Sequence, residues 1–425
     1  MGWRSGFFYG WVVVATAAFG LLLGAFPIVV FSFGVFAVSY AREFHTGRGV
    51  VSLAFTLHNL FAGFFAVFIG RLCDRFGARR VILPGLAMLS LIMISAEAIG
   101  SKIWQLYVFY AALGAVDDAT TSVPYALVIS RWFNRRRGLA LGFMMLGLGA
   151  GSVVVPPLAQ QCMVGYGWRV AFVMAGGAVL LIAIPVVGVF LKESPQQMGL
   201  LPDGAARIPE AKSEREGLAW REIRNSGTFW LVIGMFALLT VSVQACIIHM
   251  PQLLMDRGAS AGEAAAAASV IGFAVMAGRF ITGYLLDHLF GPYLASFMCA
   301  IAAFAIAALW SGAEGVPALV CGFLIGFVFG AEMDIVPYLM SRYFGLRSLG
   351  TAFGFGFGVL VVTAGLGPLM MGFGFDRTGS YRAPLAGFFI ATLVASALLS
   401  RLGPYRFDAA ETPRAPATVR STVGC

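Results

Sequence analysis

Between Trp11 and Ala41 the chain carries no charged residue, and 81–96 and 139–166 are equally bare. An apolar run of roughly 18 or more residues is long enough to cross a bilayer. Inside hydrocarbon no water bonds the backbone, so each run must satisfy its own N–H and C=O groups and become a helix. Composition agrees. Of 425 residues, 59% are hydrophobic and 12% charged, where a soluble chain carries about 25% charged. Mean hydropathy is +0.86. The 53 glycines suit close helix packing in a membrane.

The breaks between these runs predict helices at roughly 9–39, 49–70, 80–100, 103–130, 137–161 and 169–191, then 229–255, 263–289, 291–312, 315–341, 348–372 and 382–402. The stretch 192–228, with Pro195, Pro202, Pro209 and mixed charges, predicts a cytoplasmic linker between bundles at 1–191 and 229–403, with a tail over 404–425. Loops on the side of the N-terminus hold Arg71, Arg75, Arg79, Arg80, Arg131, Arg135, Arg136, Arg137, Arg342 and Arg347. Loops on the other side hold fewer basic residues: Arg42, Arg48, Lys102, Arg169, Arg257, Arg377 and Arg382. That asymmetry places both termini in the cytoplasm and explains the net charge of +9 without nucleic acid. Short loops and tails point to a bacterial inner membrane.

The two bundles echo each other. Gly70-x-x-x-Asp74 returns 213 positions later as Gly283-x-x-x-Asp287, Val123-Pro124-Tyr125 as Val336-Pro337-Tyr338, and Trp168-Arg169 as Tyr381-Arg382. Ser130-Arg131-Trp132-Phe133 returns as Ser341-Arg342-Tyr343-Phe344 at an offset two shorter. Paired six-helix halves around a midplane site are a mark of transporters. The expected fold is therefore an all-α membrane protein of twelve helices in two pseudo-symmetric six-helix bundles. The six cysteines show no CxxC, and the four histidines (His45, His58, His249, His288) are scattered. Neither metal, cofactor nor a clustered catalytic set is indicated.

Gly70-Arg71-Leu72-Cys73-Asp74-Arg75-Phe76-Gly77-Ala78-Arg79-Arg80 resembles the loop motif of the major facilitator superfamily. The resemblance implies a cytoplasmic gate in which Asp74 latches against the start of helix eleven and near Arg131. Gly70 and Arg75 belong to the same motif; in the second half Asp287 echoes Asp74, and Arg342 echoes Arg131. Trp132-Phe133-Asn134-Arg135-Arg136-Arg137-Gly138-Leu139-Ala140-Leu141-Gly142 is similar to the fifth-helix motif of monocarboxylate transporters, and Gly6-Phe7-Phe8-Tyr9-Gly10-Trp11 and Ala25-Phe26-Pro27 to their first helix. The oxalate–formate antiporter branch shares this outline.

Arg279 lies deep within helix eight. A lone arginine at such depth costs on the order of 3 kcal/mol, so it must face a cavity or a partner. Its planar guanidinium matches a carboxylate through two parallel hydrogen bonds. The family resemblance also implies an arginine in helix eight that binds substrate carboxylate. A structural ion pair is the alternative. Two positions depart from the family: Ile28 stands where animal members carry a lysine, and Val275 where they carry an aspartate. The oxalate branch has a basic residue within the stretch that is Thr363-Ala364-Gly365 here. One buried cation argues for one carboxylate on the substrate.

Proton coupling must then come from other acids. Asp117 and Asp118 lie in helix four, Glu332 and Asp334 in helix ten. Glu332 or Asp334 pairs with Arg279 and releases it on protonation; equally, these acids brace the backbone near Pro337. His249, near Pro251, is a candidate for substrate or proton, or a plain interfacial histidine. Phe26, Tyr125 and Tyr338 are candidate cavity aromatics. The expected function is a proton-coupled symporter of a small monocarboxylate, acting as a monomer as is usual in this superfamily. The alternative is a proton-antiporting exporter of drugs or metabolites, which the absence of Gly-Pro-x-x-Gly-Gly from helix five disfavours.

Overall fold

The computed structural model describes residues 8–133, 136–202, 217–286, 288–345 and 347–407, without the side chains of residues 67, 74, 137, 138 and 350. Eleven helices among them are long and apolar enough to cross a membrane. We number the crossings α1, Gly10–Glu43; α2, Arg48–Phe76; α3, Ala78–Ala98; α5, Arg137–Tyr166; α6, Trp168–Phe190; α7, Gly227–Asp256; α8, Ala261–Leu286; α9, Gly291–Trp310; α10, Gly315–Phe344; α11, Leu349–Thr378; and α12, Arg382–Leu399. The remaining crossing is in two pieces, α4a at Ile103–Asp117 and α4b at Ser122–Trp132. The sequence predicted one helix over 103–130. Local side-chain competition explains the break: Thr120 Oγ1 donates to Asp117 O at 3.0 Å, and Thr121 Oγ1 to Asp118 O at 3.2 Å. α1 also breaks, at Leu23–Gly24, before a π-helical turn over Pro27–Phe31.

Packing repeats between halves. α1 packs on α5, α2 on α4a and α3 on α6, while α7 packs on α11, α8 on α10 and α9 on α12. Two pseudo-symmetric six-helix bundles result, each with its own apolar core.

The bundles meet through α2 with α11, α5 with α8 and α1 with α7. Glycine makes these crossings close. A Cβ on Gly34 would lie 2.3 Å from Ile248 O, and one on Gly272 2.6 Å from Ser152 O. We call the end where α1 begins the near end, and the end where it finishes the far end. At the far end the bundles are joined. Arg48 binds Asp256 and the Tyr381 hydroxyl, and its guanidinium lies 3.9 Å over the Phe375 ring. The N–H groups of Arg48 and Gly49 donate to the Asp376 carboxylate at 2.8 and 2.7 Å. Deeper, Thr56 donates to Gly365 O at 2.7 Å, and Ser269 to Val153 O at 2.9 Å.

Among the described residues, the near-end hydrogen bonds and ion pairs named here stay within one bundle. Gly77 turns α2 into α3 at φ +89°. The first N–H groups of α3, on Ala78 and Arg79, donate to the Glu193 carboxylate at 3.0 and 2.7 Å. Glu193 also holds Arg131. In the other bundle Leu218 N–H donates to Phe344 O at 2.9 Å, and Gly291 N–H to the Tyr405 hydroxyl at 2.6 Å. A Cβ on Gly70, Gly283 or Gly354 would meet nothing within 4 Å. Among the described residues the bundles are thus closed at the far end and parted at the near end.

Candidate functional site

Between the bundles lies a cavity of about 400 Å³. Its walls are apolar: Phe31 of α1, Met145 and Leu148 of α5, and Val275, Met276 and Phe280 of α8, with Ser152 as one hydroxyl. Arg279 and Asp334 supply its charge. Arg279 Nη2 lies 3.2 Å from Asp334 Oδ1, and both side chains are about one-quarter exposed. The guanidinium has five N–H donors. Asp334 engages one of its nitrogens, and no other hydrogen bond from Arg279 is found among the described residues. A carboxylate entering the cavity therefore meets a cation with spare donors, whose present partner holds it by a single contact.

The structure separates the acids that the sequence left grouped. Asp334 is the partner of Arg279. Glu332, two positions earlier, is buried and accepts from the Thr240 hydroxyl of α7. Residues two apart on a helix point to different sides. Asp117 and Asp118 lie in the other bundle, at the break in the fourth crossing. Asp117 Oδ2 is 3.5 Å from His58 Nε2 of α2.

His249 is not at the cavity. It is fully buried in the far-end closure, its Nε2 3.2 Å from Ser52 Oγ and 3.0 Å from Pro368 O, its Nδ1 3.4 Å from the Tyr381 hydroxyl. Burial pushes the Tyr381 phenol well up from its ordinary value, while the Arg48 charge beside it pulls the other way. Tyr125 is buried within its own bundle, where a Cβ on Gly20 would lie 2.2 Å from its hydroxyl. Tyr338 lies at the near end, its ring edge-on to that of Tyr405 at 6.3 Å and 5.1 Å from the Arg342 guanidinium. Phe26 stands behind the cavity wall, edge-on to Phe31 at 5.5 Å.

Of the expected gate residues, Gly70 is in open space, Arg75 lies 5.2 Å over the Phe76 ring and Arg131 is held by Glu193. The Asp74 side chain and Asp287 lie outside the described residues. The sequence reading missed Arg48, Asp256 and Glu193. Arg48 reads as an ordinary loop arginine until α7 and α11 are folded against it.

The comparisons agree with this architecture. Residues 12–368 match the profile of the Major Facilitator Superfamily. The chain belongs to that superfamily, whose fold is that of multi-pass membrane transporters. It is 28% identical to monocarboxylate transporter 13 of Bos taurus over 393 residues, 90% of this chain and 87% of the relative. It is 26% identical to MFS transporter asaE of Aspergillus flavus over 325 residues, 75% of this chain and 70% of the relative. A crystal structure of a D-xylose–proton symporter superposes with a TM-score of 0.72 at 15% identity, covering 93% of this chain and 98% of that one.

Proposed function

We propose that this superfamily member is a secondary active transporter of a small monocarboxylate, taken up with a proton by alternating access. The observation that carries this is Arg279, set in the cavity with one carboxylate partner and spare donors. The likeness to monocarboxylate transporters supports the same anion class. The substrate carboxylate competes with Asp334 for Arg279. Protonation of Asp334 frees the guanidinium, so anion and proton load together. The arginine-rich near end faces the cytoplasm in this reading, and the conformation is inward-open.

The test is uptake of labelled lactate, pyruvate and related acids into proteoliposomes under a pH gradient. The expected result is accumulation driven by an acidic outside, reduced at least 100-fold in Arg279→Ala. Wild-type rates in that variant would remove Arg279 from the site. A second reading, proton-driven export of an apolar metabolite, draws support from the apolar cavity wall. It predicts accumulation when the pH gradient is reversed.

A further inference from the structure

The second and fourth crossings of each bundle carry one base–acid pair. In the second bundle it is Arg279 with Asp334. In the first it is His58 of α2 with Asp117 at the end of α4a, 3.5 Å apart. The transport reading above does not use the first-bundle pair. His58 is 1% exposed and Asp117 6% exposed, so bulk water does not reach them. Among the described residues, neither ring nitrogen of His58 has a hydrogen-bond partner, nor does Asp117 Oδ1 or Asp118 Oδ2. Buried polar atoms are nearly always bonded, and an orphan calls for an explanation such as a bound ion or water. Here four orphans share one place.

That place is also where two crossings are interrupted together. The break in α1 abuts the break in the fourth crossing: a Cβ on Gly24 would lie 3.1 Å from Thr120 O. Discontinuous helices near the midplane mark coupling-ion sites in transporters. Asp118 is the other charged group acting on Asp117. From α2 come the Phe55 ring, stacked on His58 at 6.0 Å, and Asn59, whose amide is spent on Phe55 O. Gly24 of α1, Gly85 of α3 and Gly365 of α11 make the neighbouring helix contacts without a charge.

We propose that His58, Asp117 and Asp118 form a second proton-binding site, in the bundle opposite the anion site, so that each cycle carries two protons with one monocarboxylate. The proton enters from the outside water, is shared between His58 Nε2 and the Asp117 carboxylate, and leaves to the cytoplasmic cavity past the half-buried Asp118. One anion and two protons move one net positive charge inward. This rests on the monocarboxylate reading above.

The experiment uses the full chain in proteoliposomes, with labelled pyruvate and a potential set by potassium and valinomycin. Wild type is expected to accumulate pyruvate with an inside-negative potential, toward a ceiling of about 50-fold per 100 mV. Asp117→Asn and His58→Gln are expected to keep pH-driven uptake and lose the response to potential. Accumulation then falls from about 100-fold to about tenfold per pH unit. A wild type indifferent to potential, or variants that retain its response, would overturn the proposal. So would accumulation that follows a sodium gradient at fixed pH. If wild type accumulates no carboxylate, the transport reading fails, and infrared pH-difference spectra decide this site alone. A protonated-carboxyl band lost in Asp117→Asn supports the site; identical spectra exclude it.

Discussion

Arg48 meets Asp256 through two guanidinium nitrogens, with Phe375 beneath it and the Tyr381 hydroxyl beside it. Arg279 meets Asp334 through one, at 3.2 Å. Solvent access does not separate the pairs: the side chains are 21% and 35% exposed in the first, 26% and 28% in the second. The number of bonds and their span do. The first pair ties α2 to α7 across the bundles and uses its donors in doing so. The second lies within one bundle and leaves donors facing a cavity. The Arg48 guanidinium, with three bonds to two partners, joins the two bundles as a latch would. The Arg279 guanidinium, with one bond inside one bundle, is the one the proposed anion would engage.

Breaking the latch should have the largest structural effect. Arg48→Ala leaves Asp256 without its cation, while the backbone bonds to Asp376 remain, and weakens far-end closure by about 2 kcal/mol. A cysteine placed at Ser380 should then react with an impermeant maleimide about 30-fold faster. An unchanged rate would show that glycine packing alone holds that end. Asp334→Asn sharpens the other side of the comparison. It removes the competitor of the substrate, so pyruvate binding at neutral pH should tighten about tenfold. Wild-type binding should strengthen as pH falls and Asp334 releases Arg279, whereas the variant should be flat. The same slope in both would exclude Asp334 from coupling. Glu193→Gln serves as the local control. It weakens one helix cap and one ion pair within a bundle, lowering stability by about 1 kcal/mol without changing labelling at Ser380.

Much of this was legible in the sequence. Apolar runs, a few with one or two charges inside them, predicted twelve crossings, and the repeat at 213 positions predicted two bundles. The depth of Arg279 announced a cavity or a partner, and it has both. What stayed hidden depends on which face each helix turns to its neighbours. Tyr125 and Tyr338 occupy equivalent positions in the repeat, yet one is buried against Gly20 of α1 and the other meets Tyr405 edge-on. His249 is placed by contacts with Ser52 and Pro368, remote in sequence. The break at Asp118–Thr121 sits inside an apolar stretch, where hydropathy outweighs the turn preference of Asp and Thr. His58 looked like one of four scattered histidines because its partner is on another helix.

The central claim is that Arg279 binds the anion while Arg48 holds the far end shut. Binding tests it most directly, because uptake also depends on conformational cycling. Pyruvate titrated calorimetrically into purified wild type, Arg279→Ala and Arg48→Ala should give heat of binding in the first and third and none in the second. Wild-type affinity in Arg279→Ala would contradict the account.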